Sequence, residues 1–335
     1  HRPNDVTTDE AGNVYVVGEV PNERGDADFV VIKYNKEGRE EWSRLLDPSE
    51  GQNDTAQSVQ LHANGNIIVL GTANARGSGN ANPVNNTPKI VVASLNSDGE
   101  IDWVEGLSLE SNRGAEAVDL ALAPDGDILL TGTVLGAQNQ DIVTARFTAN
   151  GRQLWAPIFD GGGKDTSSSI ATDRSGNALV VGTSFSRSGG DDIIAIFYNL
   201  RGTEIWNRPA TSEGQNDDIG TSALFDSRGR PIVVGAINNQ STGLDFFVRR
   251  YSPGGNAQFT ASETSRGKID DIPVKAVLDN SNSVLIAGNS LRNNPGSEAM
   301  ILKVDDQGSI IWAHSVGASD KPGDKVNDVV STSDN

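Results

Sequence analysis

A repeated stretch limits what this chain can fold into more than any other feature of its sequence. The segment DRSGNALVVGTS at residues 173–184 has five relatives elsewhere, among them DEAGNVYVVG at 9–18 and DSRGRPIVVG at 226–235. The last glycine of each copy marks the period, at Gly18, Gly71, Gly132, Gly182, Gly235 and Gly288. Successive glycines are 53, 61, 50, 53 and 53 residues apart. A period of this length indicates copies of one supersecondary unit that pack side by side.

A second marker with the same period lies further along each copy. There a glycine is followed four residues later by an aromatic residue, at Trp42, Trp103, Trp155, Trp206, Phe259 and Trp312. All five tryptophans of the chain therefore occupy one repeat position. An aromatic side chain can bury roughly 150–250 Å². We therefore predict a structural role for these rings, which would cover the junction between adjacent units.

Each unit has the pattern of four short β-strands. In the fourth unit these are SIAT at 169–172, NALVVGT at 177–183, DIIAIFY at 192–198 and TEIW at 203–206. The turns within the first and second pairs carry Ser-Gly-Asn, Asp-Gly or Asn-Gly, which favour tight hairpins. An acidic residue with an expected structural role opens most third strands: Asp28, Asp141, Asp192, Asp245 and Glu298, with Lys89 in the second unit. The pattern predicts an all-β fold without helices.

Repetition of a four-stranded antiparallel sheet predicts a β-propeller, in which each sheet forms one blade. We predict a single propeller domain over residues 1–335 with six blades. The predicted units span about 4–46, 54–107, 115–159, 165–209, 218–262 and 271–316. The stretch VNDVVSTSD at 326–334 has the pattern of another first strand. It either closes a six-bladed ring or begins a further blade, so a seven-bladed ring or a fragment of a longer array is the alternative.

The units resemble the bacterial β-propeller repeat family, also called SBBP repeats. The resemblance is clearest in DEAGNVYVVG and DFVVIKYNKEGREEW within residues 9–42, and in GGGKDTSSSIATDRSGNALVVGTS at 161–184. Lys89, His62 and Phe259 depart from the family pattern. The resemblance implies a propeller module of a secreted or surface-attached bacterial protein, at an extracellular or cell-surface location. It implies no shared catalytic residues.

Composition excludes several classes of function. The net charge is −18, which opposes binding to nucleic acid phosphates and to anionic membranes. The chain has no cysteine and three histidines without metal-ligand spacing, so thiolate chemistry and a histidine metal centre are not expected. No apolar run is long enough to span a bilayer. We therefore expect no membrane insertion, a monomeric domain, and a neutral or cationic partner.

The variable parts of the repeat indicate where a binding site would lie. The loops between second and third strands differ most, and the longest covers residues 72–88. On the same face an acidic residue precedes or opens the first strands, at Asp54, Asp165, Asp218 and Asp271, with Glu116 roughly in this place in the third unit. These four aspartates are candidate ligands of a ring-bound cation, for which Ca²⁺ is suited. The alternative is a structural one, in which they accept hydrogen bonds from backbone N–H groups in turns.

Three functions are compatible with this pattern. The first is a non-catalytic binding, interaction or scaffold module, with a protein or glycan on the loop face and no cofactor other than Ca²⁺. The second is a structural spacer without a specific ligand. The third is a carbohydrate-active enzyme that uses two carboxylates at the mouth of the central channel as acid and base. No convergent catalytic set is visible in the sequence, so we expect no catalysis.

Overall fold

The chain folds into antiparallel β-sheets. The computed structural model describes residues 2–49, 51–74, 87–109, 113–136, 139–185, 189–210, 217–263, 269–292, 296–316 and 325–331. Within these ranges there are 25 strands and no helix, as the sequence predicts. No described helix is therefore available to cross a membrane. Two compact units are present, His1–Asp160 and Gly161–Asn335, and each contains three sheets.

The first unit contains sheets one to three. Sheet one consists of β1 (Arg2–Thr8), β2 (Val14–Pro21), β3 (Ala27–Tyr34) and β4 (Glu40–Leu46). Sheet two consists of β5 (Thr55–Leu61), β6 (Ile67–Ala73), β7 (Lys89–Leu95) and β8 (Ile101–Gly106). Sheet three consists of β9 (Gly114–Leu122), β10 (Ile128–Leu135) and β11 (Gln140–Phe147), with its outer edge divided between β12 (Gln153–Trp155) and β13 (Ile158–Phe159).

The second unit contains sheets four to six. Sheet four consists of β14 (Asp165–Thr172), β15 (Ala178–Phe185), β16 (Asp191–Tyr198) and β17 (Glu204–Ala210). Sheet five consists of β18 (Ile219–Phe225), β19 (Pro231–Asn239), β20 (Gly243–Tyr251) and β21 (Ala257–Glu263). Sheet six consists of β22 (Asp270–Leu278), β23 (Val284–Arg292), β24 (Gly296–Val304) and β25 (Ile310–Val316). In every sheet the strands pair in chain order.

The period-marking glycine lies in the second strand of a sheet, and at four of these positions the third strand of the preceding sheet packs against it. At Gly71 the ring of Phe29 and the carbonyl oxygen of Thr55 occupy the space that a Cβ atom would need. The same contact joins Ile90 to Gly132, Ile193 to Gly235 and Phe246 to Gly288. A side chain at these positions would collide with the neighbouring sheet, and overpacking of this kind destabilises a core. The repeat of glycine therefore reflects close sheet-to-sheet packing.

The repeated aromatic residue forms a second contact between neighbouring sheets. Trp206, in β17, lies against Gly255, in the turn between β20 and β21, and its Nε1 donates a hydrogen bond to the Pro253 carbonyl at 2.9 Å. The same contact pairs Trp42 with Gly99, Trp103 with Gly151 and Phe259 with Gly308. Trp155 lies in β12, and Trp312 stacks on His314 with ring centroids 5.3 Å apart. A Cβ atom at these glycines would collide with the ring, so the aromatic residue can pack in this place only when the facing residue is glycine.

The described part of the last segment does not form the strand that the sequence suggests at 326–334. Residues 325–331 are in no strand, and residues 332–334 lie outside the described residues. The side chain of Asn289 in β23 holds this segment instead, because the Val326 backbone N–H donates a hydrogen bond to Asn289 Oδ1 at 2.8 Å. The expected extra or closing strand is therefore not formed by the residues that the structure describes.

The contact around Trp206 generates a stability prediction. Trp206 is 5% exposed and also packs on Phe197 and Tyr251, with ring centroids 5.3 and 5.4 Å away. Replacement by alanine leaves a large cavity, so Trp206→Ala should lower the free energy of unfolding by about 3–5 kcal/mol. Chemical denaturation measures this change. Trp312→Ala, at a half-buried position, is the control and should cost less. Equal losses in the two variants would contradict the structural role assigned to Trp206.

Candidate functional site

Both long connections of each sheet lie at one end of it, which we call the loop end. The strands are antiparallel, so the connection between second and third strands and the chain that reaches the next first strand leave from the same end. The tight hairpins lie at the other end, the turn end, where the glycines after each turn bond back across it, as Gly38 N does to the Asn35 carbonyl at 2.8 Å. The aromatic residues of the fourth strands lie towards the turn end, away from the loops.

The four candidate cation ligands lie at the loop end and are fully buried. Asp54, Asp165, Asp218 and Asp271 each have no exposed surface. Asp54 Oδ1 accepts a hydrogen bond from Asn74 N at 2.8 Å, and Asp218 Oδ1 accepts one from Asn238 N at 2.7 Å. Asp165 Oδ2 accepts one from Gly161 N at 2.6 Å. These contacts are those of the structural alternative, and a ring formed by all four aspartates remains a prediction.

Acidic residues of the third strands are buried beside them and hold the preceding loop. Asp28 is 5% exposed, and its two carboxylate oxygens accept hydrogen bonds from Asn22 Nδ2 at 3.1 and 3.2 Å. Asp245 is 1% exposed, and its Oδ2 accepts a bond from Thr242 Oγ1 at 2.7 Å. Asn22 and Thr242 both lie in loops between second and third strands. Buried carboxylates therefore fix the bases of these loops to the sheets.

Backbone hydrogen bonds join the first strand of one sheet to the third strand of the preceding sheet at this end. Ala27 N donates to Asn53 Oδ1 at 3.1 Å, and Asp54 N donates to the Ala27 carbonyl at 2.6 Å. The same pair of bonds joins Asp191 to Asp217 and Asp218, at 3.0 and 2.6 Å. In the next sheet Leu244 N donates to Asp270 Oδ1 at 3.0 Å. The buried acid of a first strand and that of the preceding third strand are thus brought into one seam.

Three carboxylates meet in the seam between sheets one and two. One oxygen from each of Asp28, Asp47 and Asp54 lies within 4.8 Å of the other two. Carboxylate oxygens at this spacing are suited to a hard cation such as Ca²⁺. The protein also supplies a positive charge here, because Arg24 Nη2 lies 2.7 Å from Asp47 Oδ2. Burial, opposed by hydrogen bonds from Ser49 and Asn74, raises the pKa of the Asp54 carboxyl.

A second group of carboxylates lies in the seam between sheets five and six. Burial is the main cause that raises the pKa of Asp245 to about 6, and the negative charges of Asp271, Asp270 and Glu263 add to it against the Thr242 hydrogen bond. Burial and the charge of Asp271 also raise the pKa of Glu263. In a buried cluster of like charges the ionised form is disfavoured. Burial and neighbouring negative charge therefore act together on Asp245 and Glu263 in this seam.

Sequence reasoning assigned the third-strand acids to separate structural roles and missed that they pair with the first-strand acids. A signal was present, because Asp28 and Asp54, and likewise Asp245 and Asp271, are 26 residues apart. At the same spacing the second and third sheets carry Lys89 and Ala115, so both acids are absent together. Ala115 N donates to the Pro88 carbonyl at 2.9 Å, as Asp54 N does to Ala27. Ala115 therefore occupies the repeat position of Asp54, where the sequence suggested Glu116. Glu116 is the next residue along β9 and pairs with Thr133.

Acidic residues at the turn end are also paired with basic side chains. Arg230 and Arg250 both bind Asp306, the latter through Nη1 at 2.5 Å, and Lys303 Nζ lies 2.8 Å from Asp279 Oδ2. Burial opposes ionisation of Asp306, but the hydrogen bond from Arg230 and the charge of Arg250 outweigh it and hold its pKa below the ordinary value. The raised carboxyl pKa values of Asp54, Asp245 and Glu263 thus lie at the loop end, and the lowered one of Asp306 lies at the turn end.

Comparison with known proteins agrees with this architecture. The family described as Beta-propeller repeat, SBBP, matches residues 155–186, which confirms the resemblance noted in the sequence. No curated protein sequence matches the chain. The all-β architecture, with six sheets of the kind that form propeller blades, is therefore established as the class of fold.

Among solved structures, an ulvan lyase bound to a glucuronate–rhamnose sulfate ligand has a TM-score of 0.54 and 14% sequence identity. The match covers 93% of this chain and 85% of that one. Puromycin hydrolase has a TM-score of 0.49 and 14% identity, with 96% of this chain covered, and this chain spans 55% of its length. At these identities the ulvan lyase match shows a shared fold and nothing about activity.

The buried Asp245 carboxyl predicts a pH dependence. The folded state raises its pKa from 3.8 to about 6, so this group stabilises the fold when protonated, and that contribution is lost as the pH rises from about 4 to above 6. The loss is on the order of 2–3 kcal/mol. Asp245→Asn removes the titration, so its free energy of unfolding should fall less than that of the wild type over this range. Urea denaturation in chelator across pH 4–8 measures both curves, and parallel curves would contradict the assignment.

Proposed function

We propose that the chain is a six-bladed β-propeller that forms a single domain and acts as a non-catalytic binding module. It would belong to a secreted or surface-attached bacterial protein and use the loop end of its sheets to bind a protein or a glycan. The repeat family supports the propeller and its extracellular location, since the resemblance implies both. The buried sheets would serve as the rigid frame for the loops.

One observation carries this proposal: the loops vary in sequence, yet their bases are held by the same buried acids. Asp54 holds the backbone of Asn74 at the loop that leaves β6, and Asp218 holds that of Asn238 at the equivalent loop that leaves β19. Asp245 holds Thr242 in the same region. Binding residues are concentrated in loops that a rigid scaffold positions. A spacer would gain nothing from anchoring variable loops in this way.

The longest loop is the first place to test. Its base is closed, because Asn74 N bonds to Asp54 and Asn74 Nδ2 donates to the Thr87 carbonyl at 3.3 Å. Residues 75–86 lie outside the described residues. Their composition, NANPVNN with Gly and Ser before it, is polar and carries one arginine. With a net charge of −18 on the chain, neutral or cationic partners are favoured over anionic ones.

The test replaces residues 75–86 by Gly-Gly. The variant should fold with an unchanged melting temperature, since the bonds at Asn74 and Thr87 are kept. Affinity electrophoresis should show that soluble neutral glucans, xylan or chitosan oligomers retard the wild type and that the replacement reduces this retardation at least severalfold. Lys36→Ala with Glu37→Ala is the control, because both side chains are exposed at the turn end. This control should bind as the wild type does.

The same glycans, together with ulvan, are then incubated with the wild type and assayed for new reducing ends and for unsaturated uronate. We expect none. Products from any of them would overturn the non-catalytic proposal in favour of a carbohydrate-active enzyme. If no glycan retards the wild type and an array of cell-surface proteins shows no binding that depends on residues 75–86, the spacer function replaces the proposal.

A further inference from the structure

The chain after sheet six returns to the side of that sheet. Asn289 follows the period-marking glycine of β23, and its side chain bonds twice to Val326. The Val326 N–H donates to Asn289 Oδ1 at 2.8 Å, and Asn289 Nδ2 donates to the Val326 carbonyl at 3.5 Å. Residues 325–331 pair with none of the described strands. One side chain of sheet six therefore holds a segment that has a strand-like sequence but belongs to no described sheet.

Two other seams contain an equivalent bond, and there it joins a sheet to the first strand of the next sheet. Thr183 follows the period-marking glycine of β15, and its Oγ1 accepts a hydrogen bond from Gly220 N in β18 at 3.2 Å. Thr72 Oγ1 in β6 likewise accepts one from Ala117 N in β9 at 2.9 Å. Thr183 and Gly220 are 37 residues apart, and so are the two residues bonded at sheet six. Val326 therefore lies against sheet six as a first strand lies against the sheet before it.

The segment also has the local structure of a first strand. In β1 the Val6 N–H donates to Asp5 Oδ1 at 2.9 Å, next to a shift in the pairing register after Pro3. The Val329 N–H donates to Asp328 Oδ1 at 2.8 Å, and the same Asn-Asp-Val sequence contains both bonds. All six first strands have a register shift at this point. Residues 325–331 therefore have the backbone bond of a first strand before any second strand pairs with them.

The side chains of the segment are buried on one side only. In β18, Ala223 packs in the core between sheets four and five, and Leu224 packs against the core between sheets five and six. Two repeat periods further along the chain, Val329 is half-buried and Val330 is 76% exposed. The position that faces the preceding sheet is thus partly covered, whereas the position that would face a following sheet is open to solvent. An apolar side chain is left exposed beside the backbone that could form a ladder.

The six existing sheets specify what could pair with the segment. In each of them the first-strand residue equivalent to Val326 lies opposite the period-marking glycine, in the pairs Pro3–Gly18, Ala56–Gly71, Ala117–Gly132, Ser167–Gly182, Gly220–Gly235 and Pro273–Gly288. At five of these glycines a Cβ atom would collide with the carbonyl oxygen of the residue before the first-strand partner, as at Arg2 in β1. Lys325 is the residue with that carbonyl in the segment. A strand that pairs with the segment therefore needs glycine opposite Val326.

We propose that residues 325–331, held on sheet six, form a docking site for one extended β-strand of a partner polypeptide. The strand pairs antiparallel with the segment, places a glycine opposite Val326 and carries alternating apolar residues that cover Val330. Main-chain hydrogen bonds supply affinity in this mode of recognition, and pockets for alternate side chains supply specificity. Among the described residues every second strand already pairs with its own first strand. A second copy therefore has no described second strand to offer, which favours a different polypeptide.

The probe is a fluorescein-labelled peptide with the sequence of residues 173–185, which contains the turn and the second strand of sheet four. Fluorescence anisotropy with the full chain should show saturable one-to-one binding. The peptide should also slow amide hydrogen exchange in residues 326–331, because their N–H groups gain partners. The same peptide with Gly182→Val should bind roughly tenfold more weakly, because the added side chain would collide with the Lys325 carbonyl.

Variants of the full chain test whether the peptide binds at sheet six. Asn289→Ala removes both bonds that hold Val326 and should weaken peptide binding severalfold. Thr183→Ala is the matched control, because it removes the equivalent bond between sheets four and five and keeps the docking site. It should bind the peptide as the wild type does. If Asn289→Ala does not fold, the Gly182→Val peptide still tests the register on the wild type.

Two results would overturn the docking site. One is a peptide that does not bind, or whose binding is unchanged by Gly182→Val or by a folded Asn289→Ala variant. The other is self-association of the wild type in sedimentation experiments that the peptide competes with and Asn289→Ala abolishes, which would assign the position to a second copy. The variant that lacks residues 75–86 should bind the peptide normally, so this inference and the proposed function fail separately.

Discussion

Packing of one side chain onto the glycine of the next sheet is the contact on which the rest of the structure depends. In both units a Phe or Ile of a third strand fills the space above a second-strand glycine, as Phe29 does at Gly71 and Phe246 does at Gly288. A larger residue at either glycine would separate the sheets. The fourth-strand rings also pack on a glycine of the next sheet near the turn end, as Trp206 does on Gly255. Close sheet-to-sheet contact then brings the loop ends of successive sheets together.

That contact also explains where the charge lies. Sheets that approach so closely bury the acids at the start of the first and third strands, and the chain uses these acids to hold its loops. The cost of burial is offset differently from seam to seam. In the seam between sheets one and two Arg24 pairs with Asp47, although burial still raises the pKa of Asp54. In the seam between sheets five and six burial raises the pKa of Asp245 to about 6. Where Lys89 and Ala115 replace the acids, neither burial cost arises.

Much of the fold could be predicted, and the candidate site only in part. The strands, their order and the hairpin turns follow from alternation and turn residues such as those at 173–177, which act locally. The positions of Asp54 and Asp271 at a loop end were also predicted. Their partners Asp28 and Asp245 were not identified as such, because they lie on a different sheet. The missing strand at 326–331 had a strand-like pattern, but no neighbouring edge pairs with it among the described residues.

The sequence by itself determined the period, the strand pattern and the residues that each unit repeats, because hydrophobic alternation and turn propensity depend on neighbours along the chain. The tertiary structure alone decided which carboxylates meet. Asp245 and Asp271 are 26 residues apart, and only the packing of sheet five on sheet six sets the register that brings them together. It also decided which of these charges have a partner, because Arg24 and Asp47 meet through the fold of the first seam. Burial and charge balance are properties of that packing, and no local pattern encodes them.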